Sequence, residues 1–411
     1  MSIVMATTKL RILTFLNYYL PGYEAGGPIR TLANMVQHLG DDFEFYIITR
    51  DRDINDKICY SNIKRDQWQP VGKASVFYVS PKNETISYYK KLMLETPHDV
   101  LYLNSFFDAD YTVKPLIARR LLSSKNRSSL IVAPRGEFSS AALQLKSIKK
   151  RIFIWMAKSI RLYADATFQA SSPYEAADIE REFDIPLTDI HVAIDLPENL
   201  GGPVATSTAK DLSHIDEASL RIIYLSRISP MKNLTFALEI LSNVRSKVRF
   251  DIYGPVPDEK YWAQCRALFA RLPSNVTAQY LGSVPPSQVS ETFSAYDVLF
   301  LPTLGENYGH VIAESLAVGT RVLISDRTPW RDLESDGLGW DISLDQPEAF
   351  RARIDMLGAQ TGRERYDVRE SVCRNAANRL LLSNALKANR QLFLRRGAGA
   401  ISPYPDSHAT L

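Results

Sequence analysis

The chain is 411 residues long, 45% hydrophobic and 23% charged, with a net charge of +3. That length exceeds one compact core and points to two domains of roughly 150–200 residues each. The near-balanced charge excludes a wholly basic surface, so no nucleic-acid partner is expected and any basic patch is local.

Cys59, Cys265 and Cys373 are widely spaced and form no CxxC pair, which argues against a disulfide framework or a zinc site. The first nine residues lack the apolar core of a signal peptide. No run approaches the ~18 apolar residues of a membrane-spanning helix. The expectation is a soluble, cytoplasmic protein, in which the N-x-S/T triplets at Asn83, Asn126, Asn233 and Asn275 are chance.

In chain order, an apolar strand at 11–16 runs into a loop holding Pro21, Gly22, Gly26, Gly27 and Pro28, and an amphipathic helix is expected over 29–39. Further strands are predicted at 44–49, 75–79, 100–103, 130–133, 166–169 and 190–193, mostly separated by helical patterns. The segment 197–218 loses periodicity and reads as a linker. Alternation restarts with strands at 221–225, 248–253, 277–281, 298–301 and 321–324, and 364–396 is strongly helical. Strand–helix alternation in two successive halves implies an α/β protein with two doubly wound domains facing each other across a cleft. The boundaries are 1–197, a linker 198–218, a second domain 219–375, and a final helix and tail 376–411.

The most informative residues follow the strand at 298–301. Glu306 falls in the loop at its carboxyl end, and Glu314 about two turns into a helix over 308–318 that stops at Gly319. In open α/β sheets ligands bind in that crevice. Arg227 and Lys232 follow the first strand of the same half. There an Arg can grip a phosphate with two parallel hydrogen bonds, and a Lys adds a compact charge. As isolated motifs these are as readily solvated loop cations and a solvated helix face. Together they define a site for a diphosphate.

This constellation resembles the E-x7-E signature and Arg/Lys pair of retaining GT-B glycosyltransferases of family 4 (glycosyl transferases group 1), among them bacterial surface-polysaccharide enzymes. The resemblance implies a GT-B architecture whose last helix crosses back to the first domain. It implies that Arg227 and Lys232 bind the donor diphosphate, that Glu306 contacts hydroxyls of the transferred sugar, and that Glu314 binds the ribose. Backbone N–H groups of Asn307, Tyr308 and Gly309 would assist at the helix start. Gly26 and Gly27 would lie near the donor phosphates and the acceptor, although a flexible turn is an equal reading of the pair. Arg135, in Pro134-Arg135-Gly136, would stand near the reacting sugar, and His310 would touch the donor sugar or serve only the helix start. The usual Glu-Gly-Phe-Gly is here Glu306-Asn307-Tyr308-Gly309, so the sugar pocket carries a side chain where glycine is common. The usual Pro-Asn-Gly turn is replaced by 191–197.

Asp51-Arg52-Asp53 and Asp108-Ala109-Asp110 spell D-x-D, but that motif serves a different glycosyltransferase fold, so no metal and no cofactor is expected. The basic stretch 146–161 carries Ile152, Trp155, Met156 and Ile160 at helical spacing. It is either core packing with a solvated cationic face or a peripheral contact with an anionic membrane. The resulting expectation is a retaining, metal-independent glycosyltransferase that takes a nucleotide diphosphate sugar as donor. Its acceptor is a hydroxyl of a carbohydrate or lipid-linked oligosaccharide, in lipopolysaccharide, capsule or exopolysaccharide assembly at the inner face of the cytoplasmic membrane. The alternatives are a GT-B-like sugar-nucleotide epimerase and a non-catalytic nucleotide-sugar-binding scaffold.

Overall fold

A computed structural model describes residues 9–54, 56–144, 147–198, 219–379 and 382–394. Of the expected linker at 198–218, residues 199–218 lie outside the described residues, as does the tail beyond 394. The chain divides into two compact units. The first comprises 1–22, 31–196 and 383–411. The second comprises 23–30 and 197–382.

The first unit holds β1 (Leu10–Phe15), β2 (Phe43–Arg50), β3 (Trp68–Val71), β4 (Ala74–Val79), β5 (Val100–Leu103), β6 (Ser129–Val132), β7 (Ala166–Ala170) and β8 (Ile190–Val192). They form one sheet in the order β3-β4-β2-β1-β5-β6-β7-β8. All pairs are parallel except the edge strand β3, which runs antiparallel to β4. All four residues of the central strand β5 are buried, as a sheet covered by helices on both faces requires. Phe153 of the helix Ser147–Ser159 joins Phe106, Phe107, Phe138, Tyr163, Phe168 and Phe183 in an aromatic core, with Phe106 stacked on Tyr163 at 4.4 Å. The last helix, Leu382–Leu394, belongs to this unit from Ser383 onward. Phe393 packs edge-on to Phe43 and Tyr102, and Asn389 Nδ2 donates to the Ile194 carbonyl at 2.8 Å. The expected return of the final helix to the first domain is therefore present.

The second unit holds β9 (Leu220–Leu225), β10 (Val248–Tyr253), β11 (Val276–Tyr280), β12 (Val298–Leu301), β13 (Arg321–Ser325) and β14 (Gly339–Ile342). These are all parallel, in the order β11-β10-β9-β12-β13-β14. Both β12 and β13 are buried along their whole length. Two strands have no counterpart in the sequence-based expectation. β3 contains Pro70, which an edge strand tolerates and a central one does not. β14 is four residues long and opens on Gly339, so it carries too little apolar pattern to be recognised.

The segment 146–161 departs from core packing. Its helix turns Ile154 and Ala157 into the core, while Ile148, Ile152, Trp155, Met156 and Ile160 face solvent. Lys146 lies outside the described residues.

Candidate functional site

In the second sheet the chain leaves β9 toward β10 on one side, and crosses to β12 on the other. The reversal makes the carboxyl ends of β9 and β12 a topological switch point, where the two following loops diverge and leave a crevice. Those loops are 226–233 and 302–309, which carry Arg227, Lys232 and Glu306.

Local chemistry fixes the two loops together. A short 3-10 turn, Pro230–Lys232, ends at Asn233 in the left-handed conformation, a position Asn tolerates. Asn233 Nδ2 donates to the Pro302 carbonyl at 3.0 Å, and Thr303 Oγ1 and the Leu304 N–H both donate to the Met231 carbonyl. From below, the buried Tyr224 hydroxyl donates to the Lys232 carbonyl at 3.0 Å. Gly254 is required at the end of β10. It sits at φ +137°, and a Cβ there would stand 1.8 Å from the Ser226 carbonyl oxygen. The switch-point backbone is thus held before any ligand arrives.

Lys232 Nζ is paired with Glu306, both side chains being mostly shielded from water. The Glu306 N–H donates to the Arg327 carbonyl at 3.1 Å. Arg227 is exposed at its surface, yet protein atoms gathered around its guanidinium lower its proton affinity while the Glu306 carboxylate opposes this. It stays charged throughout the physiological range.

Gly309, at φ +81°, is the N-cap of the helix His310–Ala317. Glu314 therefore lies one turn into that helix, closer to its start than the sequence pattern indicated. Its carboxylate is buried. One oxygen accepts from Arg30, and the other, Oε2, is buried with no hydrogen-bond partner among the described residues. A buried, unpaired carboxylate oxygen is costly and marks a place where a donor is missing. Burial pushes the Arg30 guanidinium down, and Glu198 opposes the shift.

Arg30 was not singled out by sequence reasoning. Its signal is its place in the first turn of the helix Gly27–Leu39, directly after the glycine pair, in the segment 23–30 that belongs to the second unit. The same segment brings in Gly26, at φ +75°, whose absent Cβ would lie 4.0 Å from Arg227 Nε. A Cβ on Gly27 would meet open space.

Asn307 is half-buried in the loop. The Tyr308 ring is buried against Trp330 and His310, and its carbonyl accepts from Trp330 Nε1 at 2.6 Å. That ring is committed to the core of the second unit, which leaves Asn307 as the side chain that stands where glycine is common. His310 is buried at the helix start, with its ring edge-on to Tyr308.

Arg135 belongs to the first unit, with Tyr102 and Asn104 from the β5 end and Asp195 after β8. It occupies the left-handed region at φ +57°, a conformation that costs a non-glycine residue on the order of 1 kcal/mol. Each of its three guanidinium nitrogens donates: Nη1 to Asp195 at 2.6 Å, Nη2 to Tyr102 and Asn104, and Nε to Asn104. Nearby, Glu137 accepts from the Phe106 and Phe107 N–H groups and the Ser105 hydroxyl, and burial pushes its carboxyl up to about 7.

Both D-x-D copies have protein partners. Asp51 is paired with Arg52, Asp53 accepts from the Ile54 N–H, Asp108 caps the Asp110 and Tyr111 N–H groups, and Asp110 meets Arg50 at 2.7 Å and Lys114 at 2.6 Å.

Two successive, mostly parallel sheets, the final helix returned to the first, and a cation–carboxylate site at the second sheet's switch point define the GT-B architecture. Residues 207–376, in the second unit, match the family described as Glycosyl transferases group 1. The relatives include an "Uncharacterized 41.2 kDa protein in cps region" of Klebsiella pneumoniae, 24% identical over 58% of this chain and 63% of that protein. Another is the phosphatidyl-myo-inositol mannosyltransferase of Mycobacterium tuberculosis strain H37Rv, 27% identical over 42% of this chain and 47% of the relative. The match thus spans about half to just under two thirds of these relatives' lengths. Among solved structures, Anabaena Alr3699/HepE, in complex with UDP and glucose, superposes with a TM-score of 0.66 at 14% identity over 93% of this chain and 98% of that one.

Proposed function

We propose that the chain is a retaining, metal-independent glycosyltransferase of family 4 that transfers a sugar from a nucleotide diphosphate donor to a hydroxyl acceptor. The observation that carries this reading is the switch-point constellation: Arg227 and Lys232 on one loop, Glu306 on the next, and the half-satisfied Glu314 carboxylate in the helix that follows.

Breaking the anomeric bond builds negative charge on the departing diphosphate and positive charge on the sugar. Arg227 and Lys232 stabilise the former, together with the positive end of the helix His310–Ala317. Donor binding draws Lys232 toward the diphosphate and frees Glu306 to accept from sugar hydroxyls, with the Asn307, Tyr308 and Gly309 backbone beside it. The unpaired Glu314 Oε2 accepts from a ribose hydroxyl, which supplies its missing donor. In this reading the leaving phosphate takes the acceptor's proton, so attack comes from the same face and configuration is retained. Arg135, with all three guanidinium nitrogens bonded to protein, acts as a positioning residue that holds the loop after β6.

The Anabaena protein was solved with UDP and glucose, so UDP-sugars are the first donors to test. The cps-region and phosphatidyl-myo-inositol relatives support a lipid-linked acceptor in surface polysaccharide or glycolipid assembly, reached by peripheral contact with a membrane. The test is the product itself. After EDTA treatment, NMR of the product formed from an α-linked UDP-sugar should show an α-linkage and undiminished turnover. A β-linked product, or activity that returns only with added Mn²⁺, would refute the retaining or the metal-free reading respectively.

A further inference from the structure

The helix Ser147–Ser159 is apolar on two faces, and the first unit covers only one of them. The inner face packs Phe153, Ile154 and Ala157 onto the aromatic core around Phe106. On the outer face Ile148 is 73% exposed, Ile152 59%, Trp155 69%, Met156 43% and Ile160 53%. Their spacing of four, three, one and four residues makes a single stripe along the helix. With side chains of roughly 200 Å² each, the stripe leaves on the order of 500 Å² of contiguous apolar surface in water. That is the upper end of what a monomer exposes without a use for it.

The charge beside the stripe selects the occupant. Lys149, Lys150, Arg151, Lys158 and Arg161 fall between Ser147 and Arg161, with no acidic residue among them. Lys158 is paired with Asp184 and Lys150 bonds the Ala142 carbonyl, whereas Lys149, Arg151 and Arg161 are exposed and make no ion pair among the described residues. Arg120, also exposed, donates to the Ile160 carbonyl at 3.1 Å and extends the positive rim.

We propose that this helix lies in the headgroup region of an anionic lipid bilayer, with Ile152, Trp155 and Met156 inserted below the phosphates and Lys149, Arg151, Arg161 and Arg120 bound to them. An exposed Trp suits that depth, because its ring is apolar and its N–H finds water or a carbonyl at the interface. A purely electrostatic contact is lost in salt, whereas an inserted stripe keeps part of its affinity. The inference deepens the peripheral-membrane part of the proposed function and rests on it for biological meaning. Its binding measurements use no sugar donor, so either can fail alone.

The full chain is sedimented with vesicles of equimolar phosphatidylglycerol and phosphatidylcholine, in low and in molar salt. The wild type binds in low salt and retains a measurable fraction in molar salt. Its Trp fluorescence shifts to the blue on binding, and the Trp155→Phe variant loses that shift. Ile152→Glu with Trp155→Glu lowers binding at least ~tenfold, and Lys149→Glu with Arg151→Glu removes the preference for phosphatidylglycerol. All four positions are exposed, and an unchanged melting temperature confirms that the variants fold. Nucleotide release with a soluble acceptor is unchanged in the apolar variant. Unaltered sedimentation of that variant, or binding wholly abolished by salt, overturns the proposal. A wild-type dimer dissolved by the same substitutions also overturns it, in favour of a second copy as the occupant.

Discussion

Replacing Lys232 with Ala separates the two demands placed on this side chain. In the free protein Lys232 neutralises Glu306, and their side chains are 15% and 9% exposed. That exposure places the pair between a surface ion pair, worth ~0–1 kcal/mol, and a buried one, whose disruption costs ~3–5 kcal/mol. Lys232→Ala is therefore expected to cost about 2 kcal/mol, because it strands a shielded carboxylate. For a unit of this size that lowers the melting temperature by roughly 4–8 °C. Adding Glu306→Ala removes the stranded charge and restores part of the loss. Activity behaves differently. One charge on the leaving diphosphate contributes ~10²–10³ in turnover, and the double variant regains none of it. Calorimetry of the wild type, both single variants and the double variant gives the stability cycle, and nucleotide release gives the catalytic one. A double variant that recovers turnover along with stability would refute the separation, since Lys232 would then serve only Glu306.

Arg135→Ala leaves Asp195 buried without its cation and is expected to cost about 3 kcal/mol, seen as a lower denaturant midpoint with unchanged slope. If stability holds while turnover collapses, Arg135 acts on substrate directly rather than through its loop. Gly254→Ala forces a Cβ against the Ser226 carbonyl at a strained φ. It should lower stability by at least ~2 kcal/mol and raise the donor KM, whereas Gly27→Ala, which meets open space, should do far less to stability. The Glu137 carboxyl is raised to about 7 from an ordinary 4.5, so the folded state holds its proton where the unfolded state has lost it. Its contribution to stability is fully present below about pH 4.5 and is lost as pH rises toward 7. Denaturation of wild type and Glu137→Gln across that window should show a falling slope in the former and a flatter one in the latter.

The parallel strands were legible because both faces of each sheet are covered, which writes them as unbroken apolar runs such as Val298–Leu301. The edge strands β3 and β14 were not, since few neighbours constrain their sequences. The switch-point loops were legible through residue type: two cations and a carboxylate after strand ends have few structural uses. The Arg30–Glu314 pair was not, because 284 positions separate its partners and no local pattern joins them. The burial of the Tyr308 ring was not legible for a related reason, since its neighbour Trp330 lies on another loop. The helix Ser147–Ser159 shows the limit of periodicity. Helical spacing identifies an apolar stripe, but whether protein covers it depends on elements elsewhere in the chain.

The most direct test of the central claim is nucleotide release from a panel of UDP-, GDP- and other nucleotide sugars, with and without lipid-linked acceptor, for the wild type and Arg227→Ala. At least one donor should release its nucleotide in an acceptor-dependent way, and Arg227→Ala should slow that release at least ~100-fold while its melting temperature holds. Release at the wild-type rate by Arg227→Ala would contradict the account. So would loss of nucleotide without any acceptor, with the sugar appearing free in solution.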